Sequence, residues 1–260
     1  MSKKTPFIAG NWKMNLTLSE AKDLAKAIVK AASDLGQAEI ILAPPFTALG
    51  KVKKALKDSP VQLAAQNLFW EEKGAYTGEI SATMLRDAGC QYVIVGHSER
   101  RQYFGETDAG VNKKIKAALK SGVFPIFCIG ETLVERERGE AMDIITRQLQ
   151  GGLEDIGIDI FKSIVVAYEP VWAIGTGQTA TPAQAEEVHA HIREKLVRKY
   201  GIEPAECAII LYGGSVKPAN SFVLLSEKNI DGFLVGGASL EAEPFIQITR
   251  EAIRAYKEKK

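Results

Sequence analysis

The amino-acid sequence predicts an α/β protein, a closed (β/α)8 barrel that forms one domain over residues 1–260. Short apolar runs alternate with amphipathic helical segments along the whole chain, and there are eight such runs. No linker or shift in composition divides them. Alternating strands and helices indicate a parallel sheet, which is either closed into a barrel or wound as an open sheet. Eight units without a linker favour the barrel.

The predicted strands are nearly continuous in apolar character and rich in Val, Ile and Leu. This pattern is typical of parallel strands that are buried on both faces. The eight runs are Phe7–Asn11, Ile40–Ala43, Val61–Asn67, Tyr92–His97, Phe124–Gly130, Ile164–Glu169, Ala208–Gly213 and Phe233–Gly236.

Two of the intervening helices have clear boundaries in the sequence. The segment Leu18–Leu35 carries apolar residues at helical spacing and follows a possible cap at Thr17. The segment Ala183–Tyr200 follows Thr181 as a cap, and Pro182 is suited to the first helical position. Similar helical or partly helical segments follow the other strands, as a barrel requires.

The composition excludes several classes of protein. The chain is 46% hydrophobic and 25% charged, which is ordinary for a soluble globular protein. Its 33 basic and 32 acidic residues give a net charge of +1, so no nucleic-acid partner is expected. No apolar run is long enough for a signal peptide or a membrane span. The 3 cysteines form no CxxC pair, which favours reduced thiols in the cytoplasm and no metal site.

Glu169 ends the sixth predicted strand and is followed by Pro170. A glutamate at a strand end is often simply exposed. Here, however, residues 171–180 have an apolar tip between small or proline-bounded ends, which is typical of a lid that excludes water. Cover by Trp172 and Ile174 would desolvate the carboxylate and raise its pKa toward the range of a general base. The sequence therefore favours a base at Glu169.

His97 and Lys13 lie at the ends of two other strands. A lone histidine is more often structural, but His97 ends an apolar strand on the same side of the barrel as Glu169. If Ser98 begins a helix, the helix dipole disfavours a charged imidazole, and a neutral His97 could polarise a carbonyl group. Lys13 could be an ordinary surface residue, yet it is the nearest obvious cation for an anionic substrate.

Three glycine-containing segments point to a phosphate group. Each is weak evidence alone, but two follow strands seven and eight, where barrels often bind phosphate through backbone N–H groups. Nucleotide-binding GxGxxG and P-loop motifs are missing. His189 and His191 lie two residues apart on a predicted helix, so they cannot face one another as a metal pair. The three segments are Gly175–Gly177, Gly213–Ser215 and Gly236–Ala238.

Seven segments together resemble the triosephosphate isomerase family. They occur in the family's order and at similar spacing from residue 10 to residue 240, so their combination is very specific. The segments are Gly10–Asn15, Ala75–Ser81, Gly96–Arg100, Cys128–Glu131, Tyr168–Gly177, Tyr212–Val216 and Gly236–Leu240.

The resemblance implies a TIM barrel that interconverts dihydroxyacetone phosphate and D-glyceraldehyde 3-phosphate without a cofactor or metal. Glu169 would take a proton from one carbon and return it to the next, and a neutral His97 would move protons among the enediolate oxygens. Lys13, aided by Asn11, would stabilise negative charge, and Glu99 would support Lys13. For this family these are well-known roles.

The resemblance also assigns phosphate binding, supporting residues, a lid and a homodimer. Thr77 lies in a segment that resembles the family's interdigitating loop, which inserts into the second subunit. Gln178 departs from the family pattern, where lysine is commoner in the trailing hinge of the lid. The phosphate-binding residues would be Gly175, Ser215, Gly236 and Gly237, the supporting residues Ser98 and Cys128, and the lid residues Pro170, Val171, Trp172, Ala173, Ile174, Gly175, Thr176 and Gly177.

Two other interpretations are compatible with a barrel. Another phosphate-binding enzyme acting on a larger metabolite would need a wider mouth, whereas the lid would enclose a small substrate. A catalytically silent barrel that serves as an interaction protein would be expected to lack Glu169, His97 or Lys13. All three residues are present.

Overall fold

The computed structural model describes residues 5–173 and 179–259. Eight parallel strands form a closed barrel in the order of the sequence, which confirms the predicted fold class. The strands are Phe7–Asn11 (β1), Glu39–Ala43 (β2), Gln62–Ala65 (β3), Tyr92–Val95 (β4), Phe124–Ile129 (β5), Val165–Tyr168 (β6), Ile209–Tyr212 (β7) and Gly232–Val235 (β8).

Six of the predicted strands extend too far at the carboxyl end of the barrel, whereas β1 and β2 end where predicted. His97 and Glu169 were included in strands, but β4 and β6 end before them. Gly96 has a φ of 74°, a left-handed conformation that ends β4 and that glycine adopts readily. The apolar pattern continues past the end of the ladder because the first loop residues are also buried.

Helices surround the barrel, and side-chain caps define several of their starts. Thr17 and Glu20 form a capping box, as do Thr181 and Gln184, so both predicted caps are confirmed. The predicted helix Leu18–Leu35 ends earlier, and its last turn tightens into a 3-10 segment. The helices are Leu18–Ala32 (α1), Leu49–Ala55 (α2), Ala82–Asp87 (α3), Ser98–Phe104 (α4), Asp108–Lys120 (α5), Leu133–Glu137 (α6), Ala141–Gly152 (α7), Ile158–Phe161 (α8), Pro182–Tyr200 (α9), Ile202–Cys207 (α10), Pro218–Ser226 (α11) and Ala242–Glu258 (α12), with 3-10 segments at Ser33–Leu35, Phe46–Ala48, Val171–Ala173 and Gly237–Leu240.

The hydrophobic core has two parts because successive strand residues point to opposite faces. Alternate residues such as Phe7 and Ala9 fill the inside of the barrel. The residues between them, such as Ile8, pack outward against the helices. This alternation decides which side chain at each strand end points toward the barrel axis.

No helix among the described residues is long and apolar enough to cross a membrane. The cysteines are free thiols: Cys90 and Cys128 are buried, whereas Cys207 is exposed at the end of α10. Burial raises the pKa of Cys90 to about 12.

We predict that Gly232→Ala will destabilise the barrel strongly. A Cβ atom at Gly232 would lie 1.9 Å from the carbonyl oxygen of Phe7 on the neighbouring strand. Backbone atoms of two paired strands cannot move apart easily, so we expect a loss of about 3 kcal/mol in the free energy of unfolding. Urea unfolding followed by circular dichroism measures this loss.

The control is Gly50→Ala in helix α2, where a Cβ atom would meet nothing within 4 Å. It should be neutral or stabilising by up to about 1 kcal/mol, because alanine favours the helix. Equal stability of the two variants would contradict the packing argument.

Candidate active site

A cavity of about 400 Å³ lies at the carboxyl end of the strands. This volume is within the range of sites that bind small molecules. Side chains from the ends of β1, β4 and β6 line one part of it, and the glycine-rich segments after β7 and β8 line another. The predicted site residues that the cavity brings together are Asn11, Lys13, His97, Glu169, Ser215, Gly236 and Gly237.

Lys13 reaches the cavity through a tight turn after β1. Its φ is 51°, in the left-handed region, and the side-chain oxygen of Asn11 accepts its backbone N–H at 3.1 Å. The Nζ atom lies 2.6 Å from Oε1 of Glu99. Gly236 lies beside the Lys13 stem, since a Cβ atom there would be 3.5 Å from Cε. The ammonium group is thus held at the cavity by Glu99, as predicted.

His97 caps the amino end of helix α4 with its own side chain. Its Nδ1 atom accepts the backbone N–H of Glu99 at 3.2 Å. Its Nε2 atom lies 2.9 Å from Oε1 of Glu169. A nitrogen that accepts an N–H carries no hydrogen, so the proton of a neutral ring is on Nε2, facing Glu169. These contacts assign the tautomer of the neutral ring.

Glu169 is only 2% exposed. Its Oε2 atom accepts the backbone N–H of Ser98 at 3.0 Å. Two glycines leave room for this residue: a Cβ atom at Gly130 would lie 1.8 Å from the Glu169 carbonyl oxygen, and one at Gly213 would lie 2.9 Å from its Cγ. The position of Glu169 therefore depends on glycines directly after both neighbouring strands, β5 and β7.

The predicted rise in the pKa of Glu169 is wrong for this arrangement. Burial raises the pKa, but His97, the N–H of Ser98 and the charge of Lys13 together hold it below its ordinary value. Cover by apolar residues would raise the pKa on its own, but hydrogen-bond donors also face this carboxylate. Trp172, one of the two covering residues, donates its indole N–H to Glu131 at 2.8 Å, and Ile174 lies outside the described residues.

The protonation of His97 depends on its contact with Glu169. Burial lowers the pKa of the imidazole, but the carboxylates of Glu169 and Glu99 raise it above its ordinary value, against the charge of Lys13. A ligand that separates Glu169 from His97 removes the strongest of the raising contacts. Burial and Lys13 then favour the neutral ring.

The glycine-rich segments form the side of the cavity next to Lys13. Gly213 and Ser215 follow β7, and Gly236 and Gly237 follow β8. A 3-10 helix, Gly237–Leu240, begins there. A Cβ atom at Gly237 would meet nothing within 4 Å, so its backbone is open to the cavity. Gly175, the remaining predicted phosphate ligand, lies outside the described residues.

Ser98 and Cys128, which the family resemblance assigns as supporting residues, both lie beside Glu169. Ser98 acts through its backbone N–H. Cys128 is on the inner face of β5 and is fully buried. Burial, with a further contribution from Glu169, raises the pKa of its thiol well above the ordinary value. Cys128 is therefore a protonated, apolar neighbour of the carboxylate.

The described part of the predicted lid is Pro170–Ala173. Val171–Ala173 form a 3-10 turn, and the backbone N–H of Val171 donates to the Glu131 carbonyl at 3.0 Å. Arg136 stacks on the Trp172 ring at 5.0 Å. The leading end of the lid is thus anchored to the loop after β5. The other lid residues, Ile174–Gly177, and the hinge residue Gln178 lie outside the described residues.

Thr77 lies in a surface loop that projects from the barrel. Every residue from 71 to 79 is exposed, although turns order the loop, with the N–H of Glu79 donating to the Tyr76 carbonyl at 3.0 Å. Tyr76 packs on Phe69 with ring centroids 4.7 Å apart. Met14, next to Lys13, is 95% exposed.

Two buried residues near the site, Glu131 and His189, have no predicted functional role. Glu131 is fully buried, and its Oε1 atom accepts hydrogen bonds from Tyr168, Trp172 and Arg136. The sequence does contain a signal for Glu131, because this residue, like Glu169, closely follows a buried strand. His189 was considered only as a metal ligand.

His189 is fully buried in helix α9, and its Nδ1 atom lies 3.2 Å from the carbonyl oxygen of Asn229. His191 instead contacts Thr146 at 2.8 Å. The two histidines therefore lie on different faces of the helix, as predicted. Burial lowers the pKa of His189 to about 3.

Comparison with known proteins gives a consistent result. A family model described as triosephosphate isomerase matches residues 6–252. The chain is 54% identical over 247 residues to the triosephosphate isomerase of Geotalea uraniireducens, covering 95% of this chain and 98% of that protein. It is 55% identical to the protein of the same name from Endomicrobium trichonymphae, with the same coverage. The identity to that of Moorella thermoacetica is 54%, covering 94% of this chain and 98% of the relative.

We predict that His189 makes the fold less stable in acid. The folded imidazole binds a proton only near pH 3, whereas an unfolded histidine binds one near pH 6.5. Between these values the unfolded state holds more protons, so stability falls as the pH falls. Between about pH 7.5 and about pH 5, the original chain should lose about 2 kcal/mol more than His189→Phe, which cannot titrate.

Urea unfolding at matched protein concentrations measures both losses. Equal losses in the two proteins would show that His189 does not titrate as its burial requires.

Proposed function

This chain belongs to the triosephosphate isomerase family, and we propose that it interconverts dihydroxyacetone phosphate and D-glyceraldehyde 3-phosphate in the cavity at the carboxyl end of its barrel. One observation carries the assignment of the site. Glu169, His97 and Lys13 come from three different strand ends and meet in one cavity with the glycine-rich segments. A buried carboxylate, an imidazole and an ammonium group are the set that proton transfer beside a carbonyl group requires.

The phosphate group of the substrate is proposed to bind at Ser215, Gly236 and Gly237, with Gly175 completing the site. Backbone N–H groups next to a short helix suit an anion, and the absence of side chains on the glycines allows close approach. Lys13 lies next to Gly236 and adds positive charge. This end of the cavity would therefore fix the substrate while its carbonyl end faces Glu169 and His97.

The proposed reaction is a proton transfer between neighbouring carbons. Glu169 removes a proton from C1 of dihydroxyacetone phosphate, and the C–H electron pair forms the C1–C2 double bond of an enediolate. The Nε2–H of His97 is placed to donate to the C2 oxygen, and Lys13 stabilises the developing negative charge. His97 gives its Nε2 proton to the C2 oxygen and takes up the proton of the C1 hydroxyl in its place. Return of the proton from Glu169 to C2 then leaves an aldehyde at C1 and a hydroxyl at C2, and both Glu169 and His97 are regenerated.

The contacts of Glu169 indicate that substrate binding must free it. In the described arrangement its two oxygens face His97 and the N–H of Ser98. The substrate would insert between Glu169 and His97 and exchange these contacts for a C–H group. Loss of the donors, together with closure of the lid residues Pro170–Gly177, raises the basicity of the carboxylate and excludes water, which protects the enediolate.

A homodimer and a cytoplasmic location are also proposed. Three features support the dimer: the exposed loop around Thr77, the half-exposed ring of Tyr76 and the almost fully exposed Met14 beside Lys13. The loop of one subunit would cover Met14 of the other and stabilise the turn that carries Lys13. The unpaired cysteines suit a reducing compartment.

We predict that Glu169→Asp will lower kcat by about 100-fold, because shortening the side chain moves the carboxylate by about 1 Å. A coupled assay from glyceraldehyde 3-phosphate measures this loss. Glu39→Asp is the matched control, because Glu39 lies at the start of β2, where it accepts hydrogen bonds from Gln62 and Tyr92. The control should retain normal turnover. Unchanged kcat in Glu169→Asp would remove Glu169 as the base.

The dimer predicts a mass of twice 28.3 kDa by light scattering at micromolar concentration. Met14→Glu places a charge on the proposed interface and should shift the protein toward the monomer, with loss of activity. Ile202→Glu is the control, because Ile202 is also exposed but lies at the opposite end of the barrel. A fully active monomer of the original chain would refute the proposed dimer.

A further inference from the structure

His189 does not line the cavity, but its ring packs against Tyr168 and Tyr212, which lie just behind the proposed site. It lies on helix α9, which begins directly after Thr181 at the far end of the lid segment. Its ring meets the Tyr168 ring nearly edge-on, at 82° with centroids 5.8 Å apart. It also lies 6.4 Å from the Tyr212 ring. A single imidazole thus packs against the last residues of β6 and β7.

These two tyrosines directly precede the two parts of the site. Tyr168 is followed by Glu169, and Tyr212 is followed by the Gly213–Ser215 segment. The two tyrosines are also paired across the strands, and the N–H of Gly213 donates to the Tyr168 carbonyl at 2.7 Å. A displacement of either ring would therefore move the base relative to the phosphate-binding segment.

Each tyrosine is restrained on its far side as well. The hydroxyl of Tyr168 donates to Oε1 of Glu131 at 3.0 Å. The Tyr212 hydroxyl packs closely on the backbone of Gly214, where a Cβ atom would lie 2.2 Å from it. The two tyrosine rings lie 6.5 Å apart, and the His189 ring packs beside both of them, so the three rings form a triangle. The histidine ring is thus the group that supports both tyrosines from helix α9.

The orientation of the His189 ring is fixed by one hydrogen bond. The Nδ1–H donates to the Asn229 carbonyl at 3.2 Å, and Nε2 has no hydrogen-bond partner among the described residues. Because burial keeps the pKa at about 3, the ring is neutral throughout the working pH range. The ring therefore acts on the tyrosines through packing and not through charge.

We infer that His189 is a positioning residue for the isomerisation, which sets the distance between Glu169 and the phosphate-binding segment through Tyr168 and Tyr212. The inference rests on the proposed function. Loss of the flat ring changes the spacing between two intact half-sites. Binding of the phosphate group is then preserved while proton transfer slows.

The test compares His189→Leu with His189→Phe in the coupled assay. Both substitutions remove the hydrogen bond to Asn229 and introduce an apolar side chain, but only phenylalanine keeps a flat ring against the two tyrosines. We expect kcat to fall by at least about tenfold in His189→Leu and by no more than about threefold in His189→Phe. Competitive inhibition by inorganic phosphate should stay within about twofold of the original value in both.

Tyr200→Phe is the matched control on the same helix. It removes a buried hydrogen bond, from the Tyr200 hydroxyl to the Ile156 carbonyl at 3.0 Å, at the carboxyl end of α9. Its kcat should be unchanged even if it unfolds at a lower temperature. All assays are run below the melting temperature of each variant, so that a loss of kcat is not a loss of folded protein.

The results separate the two proposals. An original chain without isomerase activity would refute the proposed function and the positioning role that rests on it. If the original chain is active and His189→Leu retains full kcat, or His189→Phe loses as much kcat as His189→Leu, the positioning role is overturned. A parallel loss of kcat and phosphate inhibition would also overturn it, because the phosphate site itself would then be damaged.

Discussion

Closure of the parallel barrel is the constraint on which the rest of the structure depends. Every strand then runs in the same direction around one axis, and alternate side chains point inward, so each strand offers one inward position at its carboxyl end. Asn11 continues the inward series of β1 and Glu169 continues that of β6. His97 does not follow the alternation of β4 and reaches the cavity because Gly96 turns the chain. One geometric rule and one exception thus bring together groups that are far apart in sequence.

The polar groups at this rim balance one another. Glu169 is buried, but two donors face it, and His97 receives an N–H on one side while it meets the carboxylate on the other. A buried charge is tolerated only when it is paired in this way. Glu169 is consequently held in a stabilised, weakly basic state. In the proposed reaction, the energy needed to activate it comes from substrate binding and lid closure.

The sequence was sufficient for the fold class, the centres of the strands and the positions of Glu169, His97 and Lys13, because these follow from periodicity, strand order and specific motifs. It was insufficient wherever the outcome depended on a contact between distant segments. The pKa of Glu169 is lowered by Ser98 and His97, which no local pattern connects to it. The contacts of Glu131 and His189 could not be predicted for the same reason, since both residues meet tyrosines that belong to other segments of the chain.

The distribution of the thiols has a consequence for chemical damage and for labelling. Only the thiolate form of cysteine reacts readily with oxidants and alkylating reagents. Cys90 and Cys128 are buried with raised pKa values, so their sulfur atoms stay protonated and inaccessible. Cys207 is exposed, and it lies near the amino ends of the strands, opposite the cavity. A maleimide dye or a mild oxidant will therefore modify the folded protein at Cys207 and leave the rim that holds Glu169 chemically intact.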